Sequence, residues 1–117
     1  EMSVCGAIPG ITEEYGLNLL SEHLVPYSET VVDAEAAAQI ESAIVELQQL
    51  RPDMVLLCAF PITSRYFLET VRRLGYMAQS FVSTPLLDVY ELMDRSLIDW
   101  HVGSTQWIST ARYQSDP

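Results

Sequence analysis

The feature that most limits what this chain can fold into is a seven-residue apolar run, MVLLCAF at positions 54–60, preceded by Arg51-Pro52-Asp53 and closed by Pro61. Segments of helical period stand on both sides of it. An apolar run of strand length between helical segments is the pattern of a parallel strand buried on both faces. Upstream, Asp33 is placed to cap a helix over residues 34–50, with Ile40, Ile44, Leu47 and Leu50 as its apolar stripe and Ala43 beside them. Arg51-Pro52 ends that helix, because the residue before proline avoids helical dihedrals. Downstream, Thr63 or Ser64 can cap a helix whose inner face is Phe67, Val71 and Leu74. Arg72 and Arg73 suit its last turn, and Gly75 is its stop.

The same reading extends in both directions. Residues 2–8 (MSVCGAI) read as a first strand ended by Pro9-Gly10. Thr12 then caps a helix with Glu13 and Glu14 in its first turn, and Leu17, Leu20 and Leu24 fall on one face. Gly16 weakens this helix. Residues 25–32 form a weaker strand, placed at a sheet edge by Pro26, which cannot donate to a ladder. Residues 79–83 form a short strand. Thr84 caps and Pro85 opens a fourth helix, with Leu86, Val89, Tyr90 and Met93 inward. Residues 100–105 are a fifth strand, and the tail from residue 106 has no clear period. Strands and helices thus alternate throughout. The expected fold class is α/β, a three-layer sandwich with a mostly parallel five-stranded sheet in the flavodoxin-like order 2-1-3-4-5. Residues 1–117 make a single domain of this kind.

Charge narrows the partners. The net charge is −10, all six basic residues are arginine, and there is no lysine. Without a basic stripe we expect no nucleic-acid partner. The apolar runs are too short to span a bilayer, so no direct membrane insertion is expected in this segment. The chain opens Glu1-Met2, without a basic region followed by an apolar one, and we read it as a processed chain or a piece of a longer one. Cys5 and Cys58 form neither a framework nor a metal pattern. In the order 2-1-3-4-5 they end neighbouring strands. A disulfide between adjacent parallel strands strains its geometry, so we expect free thiols.

Enzyme signatures are missing. The sequence has no GxGxxG, no GxxxxGK[ST] and no GxSxG, and with no lysine it has no Walker lysine. His23, read as a helix-surface residue, and His101, in or beside the last strand, have no metal-ligand partner at useful spacing. A receiver domain shares the alternation, but it needs an acidic pair after its first strand, an aspartate ending its third and a lysine after its fifth. Here the corresponding stretches read Ala7-Ile8-Pro9-Gly10 and Cys58-Ala59-Phe60. We therefore expect no catalytic residues, no metal and no cofactor. In open α/β sheets ligands bind outside the carboxyl ends of the strands. The side chains gathered there are Thr12, Tyr15, Phe60, Thr63, Ser83, Thr84 and Trp107. They offer hydrogen bonds and stacking, which suits recognition of a small polar molecule. The plainer alternative is that the threonines are helix caps and the aromatics belong to the core.

Three stretches carry a family resemblance. IESAIVELQQLRPDMVLLCAFPITSRYFLETVRRLGYMAQSFVST resembles the second-lobe core of the type I periplasmic-binding-protein family. This family comprises the ligand receptors of the branched-chain amino-acid transport class and the extracellular ligand-binding regions of related receptors. HVGSTQWISTARYQSDP is similar to the segment that follows in that lobe, and EEYGLNLLSEHL to the helix after the lobe's first strand. Together they cover nearly all of residues 1–117. The turn Ile8-Pro9-Gly10-Ile11 departs from the Tyr/Phe-Gly turn common in the family. The resemblance implies a non-catalytic ligand-binding lobe of a receptor or transporter component. Its partners would be a small-molecule ligand, an amino acid or similar, and the missing N-terminal lobe of the same parent chain. It also implies an extracytoplasmic location, and a role for Glu13, Glu14 or Tyr15 in holding an amino group. The alternative is a stand-alone flavodoxin-like cytoplasmic module for signalling or protein interaction.

Overall fold

The computed structural model describes residues 4–26, 30–76, 78–83 and 102–103. A single 3-10 turn, Val4–Ala7, runs into helix α1 (Ile8–Glu14). Helix α2 (Ala34–Leu50), strand β1 (Val55–Leu57), helix α3 (Pro61–Leu74), strand β2 (Phe81–Ser83) and strand β3 (Val102–Gly103) follow. The strands form one parallel sheet in the order β1-β2-β3. In register, Val55 opposes Phe81, Leu57 opposes Ser83, Val82 opposes Val102 and Ser83 opposes Gly103.

Helix α2 begins where the sequence predicts. Asp33 is extended, and its Oδ1 accepts from the Ala36 N–H at 2.8 Å, satisfying an amide that the helix leaves open. Glu35 sits in the first turn, favourably placed for the dipole. The helix ends as Arg51 turns left-handed (φ 50) and donates its N–H to the Leu47 carbonyl at 2.9 Å. Helix α3 starts at Pro61, earlier than a Thr63 or Ser64 cap implies. Proline's fixed φ and missing N–H suit the first helical position, so no capping side chain is needed there. Its end is a Schellman motif: Gly75 is left-handed (φ 69), its N–H donates to the Arg72 carbonyl at 3.1 Å, and the Tyr76 N–H donates to the Val71 carbonyl at 3.0 Å. Only glycine adopts that backbone without a steric cost.

Both long helices pack on one face of the sheet. Ile40 and Ile44 from α2, Phe67, Leu68 and Val71 from α3, Val55 and Phe81 from the strands, and Tyr76 form the core. Phe81 is its hub: the Phe67 ring lies edge-on at 6.2 Å and the Tyr76 ring edge-on at 6.1 Å. On the solvent side of the helices, an Arg73–Glu41 ion pair links α3 to α2. Arg65 and Glu69, one turn apart on α3, pair at 2.9 Å. Both pairs are exposed and contribute little.

Alternation along the strands places Leu56, Val82 and Val102 on the opposite face. There Leu56 is 42% exposed and Val102 59%. Among the described residues the sheet is covered on one face, and this corrects the expected three-layer, five-stranded 2-1-3-4-5 sandwich. Residues 4–14 are helical instead of forming a first strand, because Pro9 fits the first turn of α1 as well as it ends a strand. Residues 25–26 and 30–32 are not in a strand. The helix expected through Leu24 stops at Glu14. Gly16 is left-handed (φ 67), with its N–H on the Glu13 carbonyl at 3.2 Å and the Leu17 N–H on the Thr12 carbonyl at 2.8 Å. What reads as a weak helix position is a Schellman stop. Leu17, Leu20 and Leu24 are consequently exposed, and His23 lies beyond the helix. The fourth helix, His101 and the fifth strand apart from β3 lie outside the described residues.

Urea denaturation checks this division. Ile44→Ala, at a side chain with no exposure, should cost about 3 kcal/mol. Leu24→Ala, 84% exposed, should change stability by less than about 0.5 kcal/mol. Asp33→Ala should cost about 1 kcal/mol, and Asp33→Asn far less, because asparagine keeps the capping oxygen.

Candidate functional site

A parallel sheet with its crossover helix on one face brings the carboxyl ends of the strands and the amino end of that helix to one rim. Here the rim consists of Cys58, Ala59 and Phe60 after β1, the first turn of α3, Ser83 at the end of β2 and Gly103 at the end of β3. The first helical hydrogen bond of α3 runs from the Ser64 N–H to the Phe60 carbonyl at 2.9 Å. The amides of Ile62 and Thr63 precede it and have no acceptor within the helix. They add the positive end of the helix dipole to the rim. Ser64 is fully buried and its hydroxyl donates to the Ala59 carbonyl at 3.4 Å, bracing the turn.

Ser83 is the distinctive group. It ends the middle strand, pairs in register with Leu57 and Gly103, and is only 4% exposed. Its Oγ is buried without a hydrogen-bond partner among the described residues. A buried hydroxyl left unpaired costs roughly 1–3 kcal/mol, so a group at this position that completes the bond is favoured.

The sequence-predicted site residues divide. Phe60, Thr63 and Ser83 come together at the rim. Phe60 is the extended residue just before α3 and is 38% exposed. Thr63 lies in the first turn of α3, half-buried. Thr12 lies on α1, where its hydroxyl donates to the Pro9 carbonyl at 2.8 Å, a local bond within the helix instead of the predicted cap. Tyr15 follows α1 and is 72% exposed. Thr84 and Trp107 lie outside the described residues. Ile62 lies in the same turn after β1 that the sequence places at the strand ends, and Ser64, read there as a possible cap, instead braces the turn from within the helix that Pro61 opens.

Two hollows flank the fold. A groove of about 250 Å³ runs beside the first turns of α3, lined by Thr30, Val31, Val32, Ile62, Tyr66 and the Arg65–Glu69 pair. It shares Ile62 with the rim. The larger hollow, about 340 Å³, is at the opposite end of the sheet, where Gln48, Arg51, Pro52, Gly75, Tyr76 and Gln79 line the exits of α2 and α3. The Gln48 amide donates to the Leu74 carbonyl there at 3.3 Å. Volume alone favours this second hollow. The convergent backbone amides and the unpaired hydroxyl favour the rim, and directed polar groups are what select a ligand. Among the described residues no group of three or more His, Cys, Asp or Glu is placed to hold a metal ion.

Two polar details were not legible in the sequence. Cys58 is disulfide-bonded and no cysteine is free among the described residues, which corrects the expectation of free thiols. That expectation placed Cys5 at the end of a strand, whereas it lies in the 3-10 turn Val4–Ala7. Beside the core, His23 Nε2 stands 3.4 Å from Glu46 Oε2 on α2 and 3.2 Å from Ser21 Oγ.

Comparison with protein-family profiles, characterised proteins and solved structures finds no match to the chain.

Tyr76, in the core at the end of the sheet away from the rim, gives the fold a pH signature. Its hydroxyl is buried without a partner among the described residues, and burial raises its pKa above the ordinary 10.0. The folded state thus holds the phenol proton more tightly than the unfolded chain does. This contribution is fully present below pH 10 and is lost as pH rises through the folded pKa. Thermal melts across pH 9–11.5 should show a falling melting temperature in the native protein and a shallower fall in Tyr76→Phe. At pH 7 that variant should be equal to the native protein or more stable, since it removes an unpaired polar group.

Proposed function

We propose that this chain is a non-catalytic ligand-binding lobe that holds a small polar solute, an amino acid or similar, at the rim formed by β1, β2 and the start of α3. The observation that carries the reading is the buried, unpaired Ser83 hydroxyl at the carboxyl end of the middle strand. Ligands of parallel α/β sheets collect at that end. The Ile62 and Thr63 amides suit a carboxylate or another acceptor, and Phe60 offers an apolar wall. In this reading the lobe works with a second lobe of its parent chain that closes over the solute. This arrangement is the one implied by the resemblance to type I periplasmic binding proteins.

The Cys58 disulfide supports an extracytoplasmic location, because disulfides persist where the surroundings are oxidising. It weighs equally against a cytoplasmic signalling module. Among the described residues no helix is long and apolar enough to cross a membrane, so in this reading any attachment to a membrane belongs to other parts of the parent.

Thermal-shift screening of the parent chain against amino acids and small organic acids tests the reading. A true ligand at a hundred times its Kd stabilises by about 2.7 kcal/mol, a rise of several degrees. Ser83→Ala should leave the melting temperature of the free protein unchanged or higher and remove most of the ligand-induced rise. If no solute of these classes shifts the melt, or if Ser83→Ala binds as tightly as the native protein, the rim is not the site.

A further inference from the structure

Residues 6–24 contribute no buried residue to the fold. Helix α1 has none, and Leu17, Leu19, Leu20 and Leu24 are all exposed. The first side chain in this part of the chain to pack against the core is Val25. Among the described residues, His23 pairs with Glu46 of α2 at the surface, a pair that is weak by its exposure. A segment of this length held by packing would bury an apolar stripe, and this one has leucines for the purpose and does not use them. Yet Cys58, at the carboxyl end of β1, is disulfide-bonded, and the sequence contains one other cysteine, Cys5.

We infer that Cys58 is bonded to Cys5 and that this bond is a redox-sensitive latch, holding the N-terminal segment against the strand-end rim while the α2–α3–sheet core stands without it. Cys58 is half-buried, and opening the latch requires that a small or protein dithiol reach the bond. The opening step is thiol–disulfide exchange. A thiolate of the dithiol attacks one sulfur, forming a mixed disulfide and releasing the other sulfur as a thiolate. The second thiol of the reductant then displaces the mixed disulfide. Two electrons pass to the protein, which gains two thiols, and their protons are those given up by the dithiol, which leaves as its own disulfide. The released segment keeps the His23–Glu46 surface pair near its end, and none of residues 6–24 is buried. Its Schellman turn at Gly16 is local and does not tie it to the body.

Non-reducing peptide mapping and ¹⁵N NMR relaxation test this together. Mapping of the oxidised protein should give one crosslinked peptide pair containing Cys5 and Cys58. Adding dithiothreitol should lower the heteronuclear NOE of residues 6–24 to values of flexible chain, while amide shifts across Ala34–Leu50 and Pro61–Leu74 stay in place. The Cys5→Ser/Cys58→Ser variant should reproduce the reduced spectrum without reductant. Three results would overturn the latch: both cysteines alkylating without reduction, residues 6–24 remaining ordered after reduction, or the α2 and α3 amides losing their dispersion when the bond is cut. The last would make the disulfide a support of the whole fold. None of these readouts depends on whether the rim binds a solute.

Discussion

The packing of α2 and α3 against one face of the β1–β2 pair is the interaction on which the rest of the structure depends. Ile40 and Ile44 meet Phe67 and Val71 over Val55 and Phe81, and this places every other feature. It fixes α3 as the crossover between two parallel strands, so the amino end of α3 arrives at the carboxyl ends of β1 and β2. It faces Ser83 toward the helix side, where it is shielded from water. It also leaves Leu56 and Val102 on the other face, partly open to solvent. Rim and core are two ends of one arrangement, and the chemistry of the rim is largely backbone chemistry.

Packing ends abruptly at the N-terminal side of that core. A left-handed glycine stops α1 after two turns, and the leucines that follow lie outside any helix. Covalent closure can substitute for buried area here. In the chain-entropy description, a loop between Cys5 and Cys58 lowers the entropy of the unfolded chain by an amount worth about 4 kcal/mol. That is as much as a large buried side chain contributes.

How much of this the sequence revealed depended on whether a signal was local. Asp33, the alanine-rich stretch after it, Arg51-Pro52 and Gly75 are local signals with one strong physical reading each, and α2 and the end of α3 lie where those residues place them. The short apolar runs at 54–60 and 79–83 likewise became β1 and β2, each trimmed to three residues. Pro9, Gly10 and Gly16 were ambiguous. Proline both ends a strand and opens a helix, and glycine both weakens a helix and ends one. Without tertiary contacts neither choice is determined, and in both cases the alternative prevailed. The five-stranded alternation failed there because it extended a local pattern into regions where no core demanded it. At the rim, Phe60, Thr63 and Ser83 were legible because strand ends are legible. The unpaired state of the Ser83 hydroxyl was not, since it depends on what surrounds it in space.

Hydrogen exchange followed residue by residue on the oxidised protein is the most direct test of the core formed by α2, α3 and the β1–β2 pair. The slowest amides should be those of the central turns of α2 and α3 and of β1 and β2, with protection approaching that of global unfolding. Amides of residues 18–24 should exchange nearly as fast as free peptide, because they belong to no helix or strand. Strong, cooperative protection across residues 12–24, at the level of α2, would show a second helical layer packed on the sheet and would contradict the architecture described.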